Sequence, residues 1–274
     1  MPESEGASLQ TIDRAARVLR ALAEGPAEGM RLSEITAALD LGKATAHRLL
    51  RALVDVRFVE FDETAKHYRL GYGLFALGSA ARRFRIVDLA RPVLARLAAA
   101  TGDTVYLSVR DGDEALCVDR CTGSYPIRTL TLDVGDRRPL GVGAGSLALL
   151  AWQDEADIAR VLRDDHAARA GFPGFDAASL REMIRASRAA GHARNDGRIV
   201  SAMAAVGVPV LDETGRAVAA LSIAAIRERM EPPRESELVT LLRDEAAELG
   251  RLLGAPGEAD APGGVTESTR EEQF

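Results

Sequence analysis

Two apolar runs, Ala202 to Leu211 and Ala217 to Ile226, flank the short polar stretch Asp212-Glu213-Thr214-Gly215. Runs of this length around a Gly-containing turn pair with each other as an antiparallel hairpin. An antiparallel sheet is therefore the frame around which the C-terminal half must build. Strand-like runs at Thr104 to Val109, Ala115 to Asp119 and Ile127 to Leu132 would extend it, the first two joined by Asp111-Gly112-Asp113. Helical periodicity occupies Val87 to Ala100 before Gly102, Ser146 to Trp152, Glu155 to Asp164, Ala178 to Ala190 before Gly191, and Arg234 to Leu253. Strands first, helices inserted and a closing hairpin predict an α+β domain over residues 87–254.

Residues 9–71 follow another pattern. Ile12, Ala15, Ala16, Leu19, Leu22 and Ala23 form one helical stripe stopped by Gly25-Pro26, and Ser33 is placed to cap a second short helix carrying Ile35 and Leu39. A third helix follows Gly42, with Ala46, Leu49, Leu50 and Leu53 on one face and Ala44, Arg48, Arg51 and Asp55 roughly opposite. Phe58 to Phe61 and His67 to Leu70 alternate apolar and polar around a turn at residues 62–66. Three helices and a hairpin make a winged helix-turn-helix, whose second helix of the motif fits the major groove of DNA.

The formal net charge of −6 argues against a nucleic-acid partner only if charge is spread evenly. It is not. Between Gly42 and Arg57 the basic residues Lys43, Arg48, Arg51 and Arg57 meet only Asp55, whereas residues 255–274 carry five acids against Arg270. That acidic segment, rich in Pro, Gly and Glu, is expected to be a disordered tail. A chain of 274 residues exceeds what one core usually supports, so two domains are expected. No apolar run approaches the roughly 20 residues that span a bilayer, and the N-terminus lacks the basic-then-apolar order of a signal peptide. A cytoplasmic location without a membrane partner is expected.

Leu32-Ser33-Glu34-Ile35, then Leu41 through Leu53, then Tyr68-Arg69-Leu70-Gly71 resemble the DNA-binding domain of the IclR family of bacterial transcriptional regulators. Asp55-Val56-Arg57 departs from it, since a small residue is more usual before the first wing strand. Asp133 to Leu140, the Gly-rich Gly141 to Ser146, and Val208-Pro209-Val210 through Ala219 to Ile223 resemble the family's GAF-like effector domain. Together these cover residues 9–253, with 72–86 as a linker containing a helix.

The resemblance implies a ligand-responsive regulator that binds a palindromic DNA operator as a homodimer or dimer of dimers and needs no cofactor. It implicates Lys43, Ala44, Thr45, His47, Arg48, Arg51 and, in the wing, Lys66 as DNA contacts. It also implies a pocket for a small metabolite, often a carboxylate, at Ala144, Gly145, Ser146, Pro209, Ser222 and Ala224, with Ile127 a weaker candidate. A Gly-rich approach to a helix start suits that role because backbone N–H groups face an anion there. Family members often carry an acid where this chain has Arg198, which could pair with a ligand carboxylate or extend into water.

The rival readings are an enzyme, with Ser146 or a cysteine as nucleophile, and an interaction module without a ligand. No base and orienting acid are legible beside Ser146, and His47, His67, His166 and His192 are scattered. Cys117 and Cys121 have no second pair with which to hold zinc. On one strand they would point the same way, about 13 Å apart at roughly 3.3 Å per residue, too far to bridge. A thiol-based redox sensor is the remaining alternative for them, against two small buried hydrophobes.

Overall fold

The computed structural model describes residues 3–80, 85–164 and 166–254, and the chain divides into two units, 1–84 and 85–274. The expected acidic tail lies outside the described residues, as does part of the expected linker.

In the first unit, α1 (Glu3–Glu24) packs with α2 (Leu32–Leu39) and α3 (Lys43–Asp55). The buried stripe of α1 is Ala15, Val18, Leu19 and Leu22, while Ile12, expected in it, is 67% exposed. Helix α2 starts one residue before the anticipated cap. Arg31, not Ser33, is the N-cap, and its backbone N–H donates to the Glu34 carboxylate at 2.6 Å. Ala46, Leu49, Leu50 and Leu53 of α3 are buried as the helical spacing predicts. The wing strands β2 (Val59–Asp62) and β3 (His67–Leu70) pair antiparallel, and β1 (Met30–Arg31), too short for a pattern, adds a third strand beside β3. Helix α4 (Tyr72–Ala80) follows within the expected linker.

The second unit is built on a six-stranded antiparallel sheet, β6-β5-β4-β9-β8-β7. Its strands are β4 (Thr104–Asp111), β5 (Glu114–Thr122), β6 (Arg137–Pro139), β7 (Ala193–Asp196), β8 (Met203–Leu211) and β9 (Ala217–Ile226). The hairpin that frames the sheet closes as expected: Asp212 Oδ1 accepts from the backbone N–H groups of Thr214 and Arg216 at 2.9 and 3.0 Å. Alternation along the strands gives the sheet two faces. Val105, Leu107, Val206, Val208, Leu221 and Ile223 meet α5 (Arg85–Thr101) and α10 (Arg234–Gly254). Across the sheet lies α6 (Ala144–Ala151), apolar all round and buried at every residue, with α7 (Glu155–Asp164) and α9 (Ala177–Ala190) outside it.

Three expectations fail here. Ile127 to Leu132 is not a strand. Its carbonyls are taken by side chains instead of a ladder: the Tyr106 hydroxyl donates to Thr129 O, Arg138 Nη2 to Thr131 O at 2.6 Å, and Arg120 Nη1 to Leu132 O at 2.9 Å. Residues 193–196, where the sequence predicts no strand, form β7 on the sheet edge. The cysteines do not share a face. Leu107 opposes Asp119 but Ser108 opposes Cys117, so Val118 is a bulge that reverses the alternation. Cys117 is left beside Tyr106 and Ala224, while Cys121 packs with the α5/α10 core.

Candidate functional site

The first candidate surface is α3. Lys43, Ala44, His47, Arg48 and Arg51 are exposed on it and Thr45 is partly so. The burial of Leu49, Leu50 and Leu53 forces this, because a helix with one face in the core presents the opposite one outward. Arg48 and Arg51 have no carboxylate partner among the described residues. Lys66, at the wing turn, adopts a left-handed φ of 57° and places its ammonium 5.7 Å from the Phe61 ring centre. An uncompensated basic helix face and a cationic wing can meet phosphates and base edges.

The second is a cavity in the C-terminal unit, between the sheet and the start of α6. Its volume is about 60 Å³, several times the roughly 10–15 Å³ that admits one water. The segment leading into α6 is shaped by glycine. Gly141 and Gly143 have φ of 95° and 93°, and a Cβ on Gly145 would come within 3.0 Å of Ser222 Oγ. Below, a Cβ on Gly207 of β8 would be 2.7 Å from Ala144 O, so the helix start rests directly on the sheet. Gly143 is the N-cap and has no side chain to satisfy the first N–H groups of α6. Those groups border the cavity.

Ala144, Gly145, Ser146, Ser222 and Ala224, all named from the sequence, line this cavity together. The hydroxyl of Ser146 is engaged within the loop, accepting from Gly141 N–H at 3.0 Å and donating to Pro139 O at 3.1 Å. Three sequence candidates lie elsewhere. Ile127 is 54% exposed and outside the lining. Pro209 borders a separate recess with Trp152, Arg243 and Ala246. Arg198 is exposed and donates to Gly174 O at 3.3 Å.

Other lining residues were not legible in advance. Tyr106, Ser108 and Cys117 come from β4 and β5, Arg138 from β6 and Asn195 from β7, with Ile199, Val200 and Met203 supplying apolar wall. Burial raises the Tyr106 hydroxyl above its usual range and pushes the Cys117 thiol up to about 11. A neutral, buried thiol is a poor nucleophile and a poor redox sensor. Among the described residues no group of His, Cys, Asp and Glu is placed to hold a metal ion, and no helix is long and apolar enough to cross a membrane.

Comparison with known proteins fits both units. Residues 11–63 match the sequence model of the IclR helix-turn-helix domain, and residues 78–251 that of the bacterial transcriptional regulator IclR C-terminal domain. The chain is 33% identical to the glycerol operon regulatory protein of Streptomyces griseus, over 90% of this chain and 98% of that one. It is 30% identical to the regulator BhcR of Paracoccus denitrificans, over 89% and 88%. Among solved structures it resembles the Thermotoga maritima IclR, with TM-score 0.72 and 25% identity over 90% of this chain and 100% of that one. An IclR homologue from Microbacterium hydrocarbonoxydans, in complex with 4-hydroxybenzoate, matches with TM-score 0.74 and 25% identity over the same shares. The chain belongs to the IclR family of bacterial transcriptional regulators: it is a DNA-binding regulator with a C-terminal ligand-binding domain, and not an enzyme.

Proposed function

We propose that this regulator binds a palindromic operator through α3 and the wing, and that a small carboxylate in the cavity at the start of α6 changes that binding. The observation that carries the reading is the N-terminus of α6, without a side-chain cap, bordering a cavity that Gly143 and Ser222 help to line. Backbone N–H groups at such a helix start favour an anion. The 4-hydroxybenzoate of the Microbacterium homologue is a molecule of this chemical class. Ala144, Gly145, Ser146, Ser222 and Ala224 form the ligand site in this reading; Ile127, Pro209 and Arg198 do not.

Lys43, Ala44, Thr45, His47, Arg48, Arg51 and Lys66 carry the DNA interface. The palindrome follows from a two-fold homodimer, which presents the same helix to two half-sites. Tyr72, Phe75 and Leu77 of α4, exposed by 81, 72 and 57%, supply apolar surface for self-association. A dimer of dimers extends the same scheme.

Selection of bound duplexes from random DNA by the full-length protein tests this reading. Recovery of an inverted repeat is the expected result, with a dimer or tetramer mass by light scattering. Enrichment of a single asymmetric site by a monomer contradicts it.

A further inference from the structure

We propose that Arg138 is the charge partner of the ligand: a small hydroxylated monocarboxylate bridges its guanidinium and the N-terminus of α6, and a hydroxyl of the same molecule donates to Asn195 Oδ1. This deepens the ligand-sensing reading and rests on it.

Arg137 and Arg138 are neighbours on an edge strand, so they point to opposite faces. Arg137 is exposed and paired with Asp111 at 2.5 Å and Glu114 at 3.0 Å. Arg138 turns into the cavity, where its hydrogen bond is to Thr131 O at 2.6 Å. No carboxylate pairs with it among the described residues, and no Asp or Glu lines the cavity. The nearby Asp136 is exposed and accepts from the Asp133 N–H at 2.7 Å. Burial lowers the pKa of the Arg138 guanidinium, the sign of a cation held without adequate compensation.

Arg138 Nη1 lies 3.4 Å from where a Cβ on Gly143 would be, against the N-cap of α6. A cation beside the positive end of a helix is unfavourable by itself, and an anion between the two accepts from both. The second observation is independent. Asn195 is only 8% exposed, lines the same cavity, and its Oδ1 is buried without a hydrogen-bond partner. A buried amide oxygen in that condition calls for a hydrogen-bond donor, which a hydroxyl elsewhere on the ligand supplies and its carboxylate cannot. Cationic on one wall and apolar at Ile199, Val200 and Met203, the cavity selects a small organic anion over a cation or a neutral polar molecule.

The test uses full-length protein, wild type and the variants Arg138→Met, Arg138→Lys and Arg198→Ala. Thermal shift is measured with 4-hydroxybenzoate and its neutral isostere 4-hydroxybenzamide. Wild type and Arg198→Ala should be stabilised by the carboxylate and not by the amide. Arg138→Met should melt at or above the wild-type temperature without ligand, yet bind the carboxylate roughly 30-fold or more weakly. Arg138→Lys should recover part of the loss. If Arg138→Met is stabilised by the carboxylate as wild type is, Arg138 has no such role while the sensor reading survives. Equal response of wild type to acid and amide likewise overturns the charge pairing alone. If wild type responds to neither, crystals soaked in sodium bromide decide. An anomalous peak between Arg138 Nη1 and α6, lost in Arg138→Met, supports the pairing, and a cavity without bromide overturns it.

Discussion

Val118 shows how much one residue can hide. Four residues separate Cys117 from Cys121, which on a regular strand predicts one shared face; the bulge at Val118 sends them to opposite ones. A bulge leaves no mark in composition, so the parity error could not have been caught from the sequence. Its chemical consequence is checkable. With its thiol pushed up to about 11, Cys117 should resist alkylation by iodoacetamide at pH 8 in the native protein and react at once in urea. Fast native labelling at Cys117 would contradict the buried, neutral thiol. Arg138 was hidden differently: only the pairing of β6 with β5 shows which of two adjacent arginines faces inward. Gly207 also acquires its meaning only in three dimensions. Because any Cβ there meets the Ala144 backbone at 2.7 Å, Gly207→Ala should cost about 1–3 kcal/mol in urea unfolding by overpacking.

Elements with strong local signals were read correctly and those held by tertiary contacts were not. Helix α3 and the β8–β9 hairpin announce themselves by spacing and turn chemistry. Strand β7 is four residues long and derives its pairing from β8, while the 127–132 segment has strand-like composition but side-chain partners for its carbonyls. Helix α7 is tied to the β4–β5 hairpin by an ionic cluster equally invisible in sequence. Arg110 and Arg160 both hold Asp157, and Arg160 also reaches Asp113 at 2.7 Å. Hydrogen bonding to Arg110, then Arg160, lowers the Asp157 carboxyl to about 2. An unfolded aspartate titrates near ~3.9, so this pairing stabilises the fold above that pH and is lost as the pH falls toward 2. Asp157→Asn should therefore lower the melting temperature at neutral pH and flatten its decline between pH 4 and 2. A decline as steep as that of wild type would remove Asp157 from the acid response.

At the scale of the molecule, the proposed DNA contacts and the proposed ligand cavity belong to different units and should be separable by mutation. Arg48→Ala or Arg51→Ala should lose about 1–3 kcal/mol of operator binding where a base is read, or reduce the salt slope by about one where a phosphate is met. Neither should alter ligand affinity. Ala144→Leu should do the reverse, since the added side chain occupies space beside the first N–H groups of α6. The most direct measurement is the anisotropy of a selected operator duplex titrated with full-length wild type and Ala144→Leu. Each is run with and without a carboxylate that raises the wild-type melting temperature, 4-hydroxybenzoate first. Ligand-free operator affinities should lie within about twofold of each other, as for distant independent sites, with a ligand response in wild type only. Ala144→Leu responding to the ligand as wild type does would contradict this and place the ligand outside this cavity.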